Sequence, residues 1–576
     1  MMQSVPEKVL VLGADDRSGL AVVRSLGRKH IEVHVGWCSP GSVVTCSRYV
    51  SMVHDIPSYS ATDGRWRDAL VSLMKKEAFH LVIPCSDPVL IPLQKNRKEL
   101  ESFGEIYLLD DRTFDVTMDK IKMNEVVRKL GINLSREQVL VKENQVEEIL
   151  QECCKWPLVV KPKSSFIEKD LHAKRYVRIA RDSKELRNIT HELLNDGPIQ
   201  IQEYFKGRGV GIEVLVDHGE ILVSLQHERI HEPKNGGGSS YRKTVPLNAE
   251  MHEAVQLVMR ELEYTGVAMV EFKFNVDSGE WIFVELNGRF WGSLPLAIAA
   301  GADFPFYLYA LLIKGMRDFP KSYRVGLYGR NIRKDVGWFE KALLEQNKGI
   351  GQRVKVLFQA MKEAMNIVTF RESNDTFVWD DVKPGLIEFR ETTRYIQGIF
   401  KKRMTRQGWF QVLRKKTDRH FLKHYLKTAE CILFLCKGNI CRSPFAEAYA
   451  RQQFPVTLKV MSCGYFPEEG RKCPDDAVSA AHQFQVDLGG HRSEIVTREM
   501  LENANIVFLF DQENRDKIIN LFPDIKRKLF FLGSLSDNDS IHIKDPNGGT
   551  VEVFTETYRL IRFSIDRLVK LGQLTK

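Results

Sequence analysis

Leu433-Phe434-Leu435-Cys436-Lys437-Gly438-Asn439-Ile440-Cys441-Arg442-Ser443-Pro444 carries the most specific chemistry in the chain. An apolar strand ends at a cysteine, a short polar loop follows, and arginine and serine open the helix-compatible run Pro444-Phe445-Ala446-Glu447-Ala448. A strand, a tight loop and a helix start in that order predict an oxyanion cradle. Backbone N–H groups converge on a bound anion, and the positive end of the helix dipole faces it. The same field favours the thiolate of Cys436, the form that attacks an electrophile. Arg442 adds a planar fork able to hold two phosphate oxygens at once. The cysteine-to-arginine spacing alone also arises by chance, so the surrounding residues have to carry the reading.

Working outward, 576 residues exceed what one core accommodates and imply about three or four domains. The ten cysteines are scattered, and Met1-Met2-Gln3-Ser4 does not read as a secretory leader, so a reducing, cytoplasmic setting is expected. The longest apolar candidate, Leu294 to Ile313, contains Gly301, Asp303 and Pro305 and reads as buried structure, not a membrane span. The net charge of +9 is concentrated: between Arg394 and Lys427 stand eleven Lys or Arg against the single acid Asp418. The remainder is close to neutral, whereas a general nucleic-acid binder would spread basic residues over a domain with aromatic platforms. A nucleic-acid binder is therefore not expected.

At the N-terminus, Lys8 to Gly13 reads as a buried strand, Ala14 to Gly19 as a turn, Leu20 to Lys29 as a helix and Ile31 to Val35 as a second strand. This β-α-β opening lacks the full glycine triplet of a dinucleotide site. Its second strand ends in Gly36-Trp37 where a ribose-binding acid would be expected. His80 to Pro84, followed by Ser86-Asp87-Pro88, continues the α/β alternation.

A second chemical region begins at Met118-Asp119-Lys120, which opens a helix through Leu130-Gly131. Pro157 to Pro162 reads as a strand carrying Lys161. Ile201 to Gly207 precedes a glycine-rich turn and the strand Glu213 to Val216. Val267 to Lys273 and Ile282 to Arg289 read as paired strands. Each lysine or glutamate taken singly is most simply a solvated charge, but Glu271, Glu285 and Lys161 fall inside apolar strands, where a lone charge is costly. Two carboxylates and the Asn287 amide oxygen on adjacent strands make a hard oxygen site suited to Mg²⁺.

The run from Cys436 to Pro444 resembles the signature of the low-molecular-weight protein tyrosine phosphatases, and the resemblance extends to the C-terminus. It implies Cys436 as nucleophile, Arg442 on the phosphate, Asn439 as the loop-shaping residue and Ser443 as the hydroxyl that stabilises the thiolate. Asp545, in Lys544-Asp545-Pro546, matches the acid that protonates the leaving phenolate and then activates water. Asp511 and Asn514 match loop-supporting positions, and His491-Arg492-Ser493 a structural segment. Arsenate reductases of similar fold need a cysteine pair far downstream, and no cysteine follows Cys473. Relatives acting on phosphoarginine tend to carry threonine where Ile440 stands, so a phosphotyrosine protein or small aryl phosphate is the expected substrate. Asn547-Gly548-Gly549 replaces an aromatic found in many relatives, leaving Tyr465 or Phe466 to wall the cleft. Cys441 either packs or forms a reversible disulfide with Cys436.

Residues 1 to about 315 resemble the ATP-grasp superfamily, in particular its carbamoyl-phosphate-synthetase-like members. The resemblance implies ATP held between two lobes, with Mg²⁺. Lys120 and Lys161 match the phosphate-binding lysines, and Gln202, Glu203, Tyr204 and Phe205 the adenine-reading hinge. Glu271, Glu285 and Asn287 match the metal ligands, and Arg289 the arginine on the transferring phosphate. Gly209 stands where relatives often place a ribose-binding glutamate, with Glu213 as a weak substitute. The implied reaction is activation of a carboxylate as an acyl phosphate, then attack by an amine; neither substrate can be named. The loop His231 to Ser240 is either a lid or a plain connection.

The expected architecture is α/β and multidomain: a pre-ATP-grasp α/β domain over 1–115, a two-lobed α+β ATP-grasp domain over 116–318, a helical basic connector over 319–427 and a parallel-sheet α/β phosphatase domain over 428–576. Trp338 to Asn347, Gln352 to Met365 and Leu386 to Lys402 read as helices, and Trp379 to Pro384 as a turn. The basic stretch 394–427 is expected to pack one apolar face on a neighbouring domain, with weak contact to an anionic membrane as the other reading. The function expected is a carboxylate ligase fused to a tyrosine-type phosphatase. Its rivals are a phosphatase governed by an ATP-sensing, non-ligating module, and a scaffold in which neither site turns over.

Overall fold

The structure is a computed structural model that describes every residue except 1–6, 14–16, 40, 144, 153–154, 168–169, 234–237, 345–349, 407, 538–539 and 574–576. The chain divides into two compact units, Met1–Ile396 and Gln397–Lys576. No described helix is long and apolar enough to cross a membrane.

Unit 1 opens with β1 (Lys8–Leu12), α1 (Arg17–Arg28), β2 (Glu32–Gly36), β3 (Val50–His54) and β4 (Leu81–Pro84), which form a parallel sheet ordered β3-β2-β1-β4. Val9 to Leu12 are wholly buried, as befits a strand covered on both faces. The helix expected at Lys120 is α2 (Lys120–Lys129), capped by Asp119, whose carboxylate accepts from the N–H groups of Ile121 and Lys122.

A small antiparallel sheet follows, ordered β5-β8-β6-β7, built from β5 (Glu137–Leu140), β6 (Leu158–Pro162), β7 (Arg178–Ala180) and β8 (Ile199–Glu203). Next come β9 (Arg208–Asp217), β10 (Glu220–His231), β11 (Tyr241–Val245), β12 (Gly266–Phe274) and β13 (Trp281–Asn287). Two sheets thus follow one another over the stretch where the resemblance implies two lobes. The turn expected after Gly207 is absent. Gly209 and Gly211 lie inside β9, where an added Cβ would run into Glu232 or the His227 ring, so these glycines admit side chains from the next strand and the residue that follows it.

The stretch beyond residue 319 departs from a helical connector. β14 (Tyr328–Arg330) pairs with β11, and after α3 (Ile332–Leu344) and α4 (Ile350–Val368), β15 (Glu372–Asn374) pairs with β14. The large sheet thus has seven strands, ordered β13-β12-β9-β10-β11-β14-β15. Asp381, just beyond, accepts from Arg24 Nε at 2.9 Å, Ser47 Oγ at 2.6 Å and the Arg48 N–H at 3.0 Å. Burial pushes the Arg24 guanidinium down, opposed by Asp381. Residues 319–396 are therefore part of unit 1. α5 (Val382–Arg406) runs on from this stretch.

In unit 2, α6 (Gly408–Tyr425) follows the end of α5, and its Leu422, with Leu426 just beyond it, enters the core of this unit. Asp418 accepts from Ser534 Oγ at 2.6 Å, and Arg419 donates to the Ser534 carbonyl at 3.1 Å. The parallel sheet is ordered β17-β16-β18-β19, from β16 (Cys431–Cys436), β17 (Lys459–Gly464), β18 (Ile506–Leu509) and β19 (Leu529–Phe531). Helices α7 (Arg442–Gln453), α8 (Gln512–Leu521) and α9 (Val551–Gly572) are among those that accompany it. Central β16 is buried throughout, so its last residue, Cys436, is fixed at the carboxyl edge of the sheet, where α/β folds place ligands.

Candidate active sites

Between β16 and α7, the loop from Cys436 closes around its own sulfur. Asn439 has a left-handed backbone, φ +50°, and its N–H donates to Cys436 Sγ at 3.2 Å. Ser443 Oγ lies 3.0 Å from the same sulfur. Every polar atom of Asn439 is engaged, which is what holds a non-glycine residue in this conformation. Its amide nitrogen donates to Ser443 Oγ at 3.0 Å and Ser462 Oγ at 2.9 Å; its side-chain oxygen accepts from the Glu494 N–H at 2.8 Å; its carbonyl is 2.8 Å from His491 Nε2.

Arg442 is 1% exposed. Its Nη1 donates to Asp511 at 2.5 Å and the Ile543 carbonyl at 2.9 Å, and its Nη2 to Asp545 at 2.7 Å. Burial works against its charge, but Cys436, Asp545 and Asp511 outweigh that and raise its pKa. The structure therefore brings Cys436, Asn439, Arg442, Ser443 and Asp545 together. Asp511 also caps α8 through the Asn514 N–H at 2.8 Å. Cys441 is free, and burial pushes its thiol well up.

Two supports were not legible in the sequence. Arg471 donates to the Gly438 carbonyl at 2.6 Å and lies 4.2 Å from the centre of the Phe466 ring, tying Phe466 to the loop. Glu447 accepts from Ser462 Oγ at 2.5 Å, which orients the hydroxyl that Asn439 uses.

In unit 1, Lys120, Glu285, Asn287 and Arg289 line one cavity with Asp87, Ser165 and Lys174. Lys120 Nζ donates to Ser165 Oγ at 2.8 Å and lies 3.9 Å from Glu285. Lys161, 8% exposed, donates to the Val284 carbonyl at 3.4 Å, and burial pushes its ammonium down to about 8, with Glu285 opposing. Arg289 is held by Asp87 through two bonds of 2.5 and 2.9 Å. Burial works to raise the Asp87 carboxyl, but Arg289 outweighs it and holds it low.

Glu271 and Glu285 face each other across β12 and β13, and Asn287 Nδ2 lies 3.3 and 3.5 Å from them. Burial raises the Glu271 carboxyl; its main partner is Arg229, at 2.6 Å, which no sequence motif indicated. Burial also works to raise Glu285, but Lys120 and Lys161 outweigh it and hold it low. Among the described residues, no group of three or more His, Cys, Asp or Glu could hold a metal. Two close carboxylates joined by an amide form a different, all-oxygen donor set once the amide is turned. Its chemistry fits a hard divalent cation.

The hinge residues are not part of that cavity. Gln202 donates to Glu137 at 2.6 Å, and with Glu203 it borders a separate cavity beside Arg136 and Ile201. Tyr204 is exposed, and Phe205 is half-buried. Glu213 is buried, accepting from Ser293 Oγ at 2.7 Å and lying 3.1 Å from His227, so it is not placed as a ribose contact.

The family model for low molecular weight phosphotyrosine protein phosphatase matches residues 431–576. The protein-arginine-phosphatase of Geobacillus stearothermophilus is 32% identical over 139 residues, 24% of this chain and 93% of that protein. The low molecular weight protein-tyrosine-phosphatase Wzb of Escherichia coli K12 is 31% identical over 133 residues, 23% of this chain and 88% of that protein. The biotin carboxylase of Campylobacter jejuni, solved as a complex with β-γ-ATP, matches 56% of this chain and 74% of its own with 13% identity and a TM-score of 0.45. Through residues 431–576, the chain belongs to the low molecular weight phosphotyrosine protein phosphatase family.

Proposed function

We propose that the chain joins a cysteine-dependent phosphatase acting on phosphotyrosine-type esters to an ATP- and Mg²⁺-dependent carboxylate ligase. The observation that carries the first half is the Cys436 sulfur, held by the Asn439 N–H and Ser443 hydroxyl within one loop of Arg442 and Asp545. Cys436 attacks phosphorus while the aryl P–O bond breaks, and Asp545 gives its proton to the leaving oxygen. Water then attacks phosphorus, Asp545 takes the water's proton, and the S–P bond breaks to return the thiolate. Arg442 holds two phosphoryl oxygens throughout. Ile440, where relatives acting on phosphoarginine tend to carry threonine, supports an aryl ester over phosphoarginine. Hydrolysis of p-nitrophenyl phosphate tests this: Cys436→Ser is expected to abolish turnover while retaining oxyanion binding. Turnover persisting in that variant would sink the assignment.

For unit 1, the reading is that Lys120 and Lys161 hold nucleotide phosphates and Arg289 the phosphoryl group in transit. Glu271, Glu285 and Asn287 would hold Mg²⁺, which when bound offsets phosphate charge. Gln202 to Phe205 would border the base. The γ-phosphoryl group passes to a carboxylate oxygen, ADP leaves, and an amine displaces phosphate from the acyl phosphate.

The second reading, an ATP sensor without ligation, is favoured by the grip of Arg229 on Glu271 and of Asp87 on Arg289. ADP release across a panel of carboxylates and amines decides between them. ATP binding with no ADP from any acid and amine mixture assigns the sensor. The thiols of Cys431, Cys436, Cys441, Cys463 and Cys473, which form no disulfide, support a cytoplasmic setting.

A further inference from the structure

Helix α4 (Ile350–Val368) is mounted with its polar side inward. Its single acid, Glu363, is buried, accepting from Gln359 at 2.9 Å and lying 3.0 Å from His231 Nε2 and 3.4 Å from Arg330. Asn366 donates to the Tyr241 hydroxyl at 2.8 Å. These contacts fix one side of the helix against β10, β11 and β14. At 3.6 residues per turn, Val354, Leu357, Phe358, Met361, Met365 and Val368 fall on the opposite side. All six are exposed, each by at least half of its surface. An apolar stripe of this size facing water marks an interaction surface.

The residues flanking the stripe select its occupant. Arg353, Lys355 and Lys362 are exposed on α4, and no acid of the helix is exposed beside them. Two copies paired through this face would set like charges against each other. A bilayer rich in anionic lipid would take the apolar stripe at the acyl boundary and the cations at the headgroups. We infer that α4 docks unit 1 on an anionic membrane surface, lying in the plane of the interface without crossing it.

The test is co-sedimentation of the full chain with vesicles of phosphatidylcholine alone and of phosphatidylcholine mixed with phosphatidylserine. The wild-type protein is expected to pellet with the mixed vesicles, less so as salt rises. Phe358→Asp with Met361→Asp should lower binding by about tenfold or more. Lys355→Glu with Lys362→Glu should lower it by a few fold and flatten the salt dependence. These side chains project from the body, so unchanged unfolding temperatures verify that the variants are folded. Wild-type protein left in solution with both vesicle types would overturn the proposal. So would binding unchanged by the aspartate pair, which would move the contact to the basic stretch 394–427. A lipid-free dimer dispersed by that same pair would assign the face to a second copy instead.

Discussion

Asn439 shows how much of the phosphatase loop depends on one side chain. Its positive φ is tolerated because its amide and carbonyl bridge to Ser443, Ser462, Glu494 and His491. Asn439→Ala keeps the strained backbone and removes the side-chain bonds to Ser443, Ser462 and Glu494 that help hold it. The expected loss in kcat for p-nitrophenyl phosphate is about ten- to a hundredfold. Asn439→Gly relieves the strain and should recover part of that loss; equal losses in the two variants would deny a role for backbone strain.

Lys161 is the converse case, a charge the fold disfavours. Its pKa of about 8 lies below the ordinary 10.5, with burial the main cause. The folded state therefore binds the proton less readily than the unfolded one. The penalty is full below pH about 8 and fades as pH rises toward 10.5. Lys161→Met should stabilise unit 1 without ligand by about 1–3 kcal/mol in urea unfolding at pH 7 while abolishing ATP binding. In the wild type, ATP affinity measured by calorimetry should be flat below pH about 8 and decline above it. An affinity that climbs above that pH would remove Lys161 from the phosphates.

The elements differ in how far local sequence determines them. The loop from Cys436 to Ser443 was legible because its chemistry lies within one strand, one turn and one helix start. Glu271 and Glu285 were legible because a charge inside an apolar strand breaks a pattern. Arg229 and Arg471 were not, since each works on a partner far away in sequence. β14 and β15 were missed for a related reason: each has three residues, too few to show alternation, and each is placed by its neighbour strand.

What fixes the end of that region is Asp381. Removing its carboxylate in Asp381→Ala leaves Arg24 buried without its charge partner and the Ser47 hydroxyl and Arg48 amide without an acceptor. The expected destabilisation is about 3–5 kcal/mol. It should appear as a lower unfolding midpoint for unit 1, with p-nitrophenyl phosphate turnover unchanged.

At the scale of the whole molecule, division into two units predicts which pieces survive alone. A fragment beginning at 428, where the sequence places the phosphatase boundary, lacks all of α6. That helix and the residue after it supply Leu422 and Leu426 to the same core as Phe434 and Phe445 of the catalytic loop's strand and helix, and its Asp418 takes the Ser534 hydroxyl. Cutting it away exposes the core surface the two leucines cover and leaves Ser534 without that acceptor. At the cost usual for deleting buried leucines, fragment 428–576 should be less stable than 408–576 by at least about 3 kcal/mol. The longer fragment should match the full chain in kcat for p-nitrophenyl phosphate, while the shorter one loses activity on warming at a lower temperature. Equal denaturant midpoints for the two fragments would show α6 to be dispensable, and would return the stretch before 428 to the role of a connector.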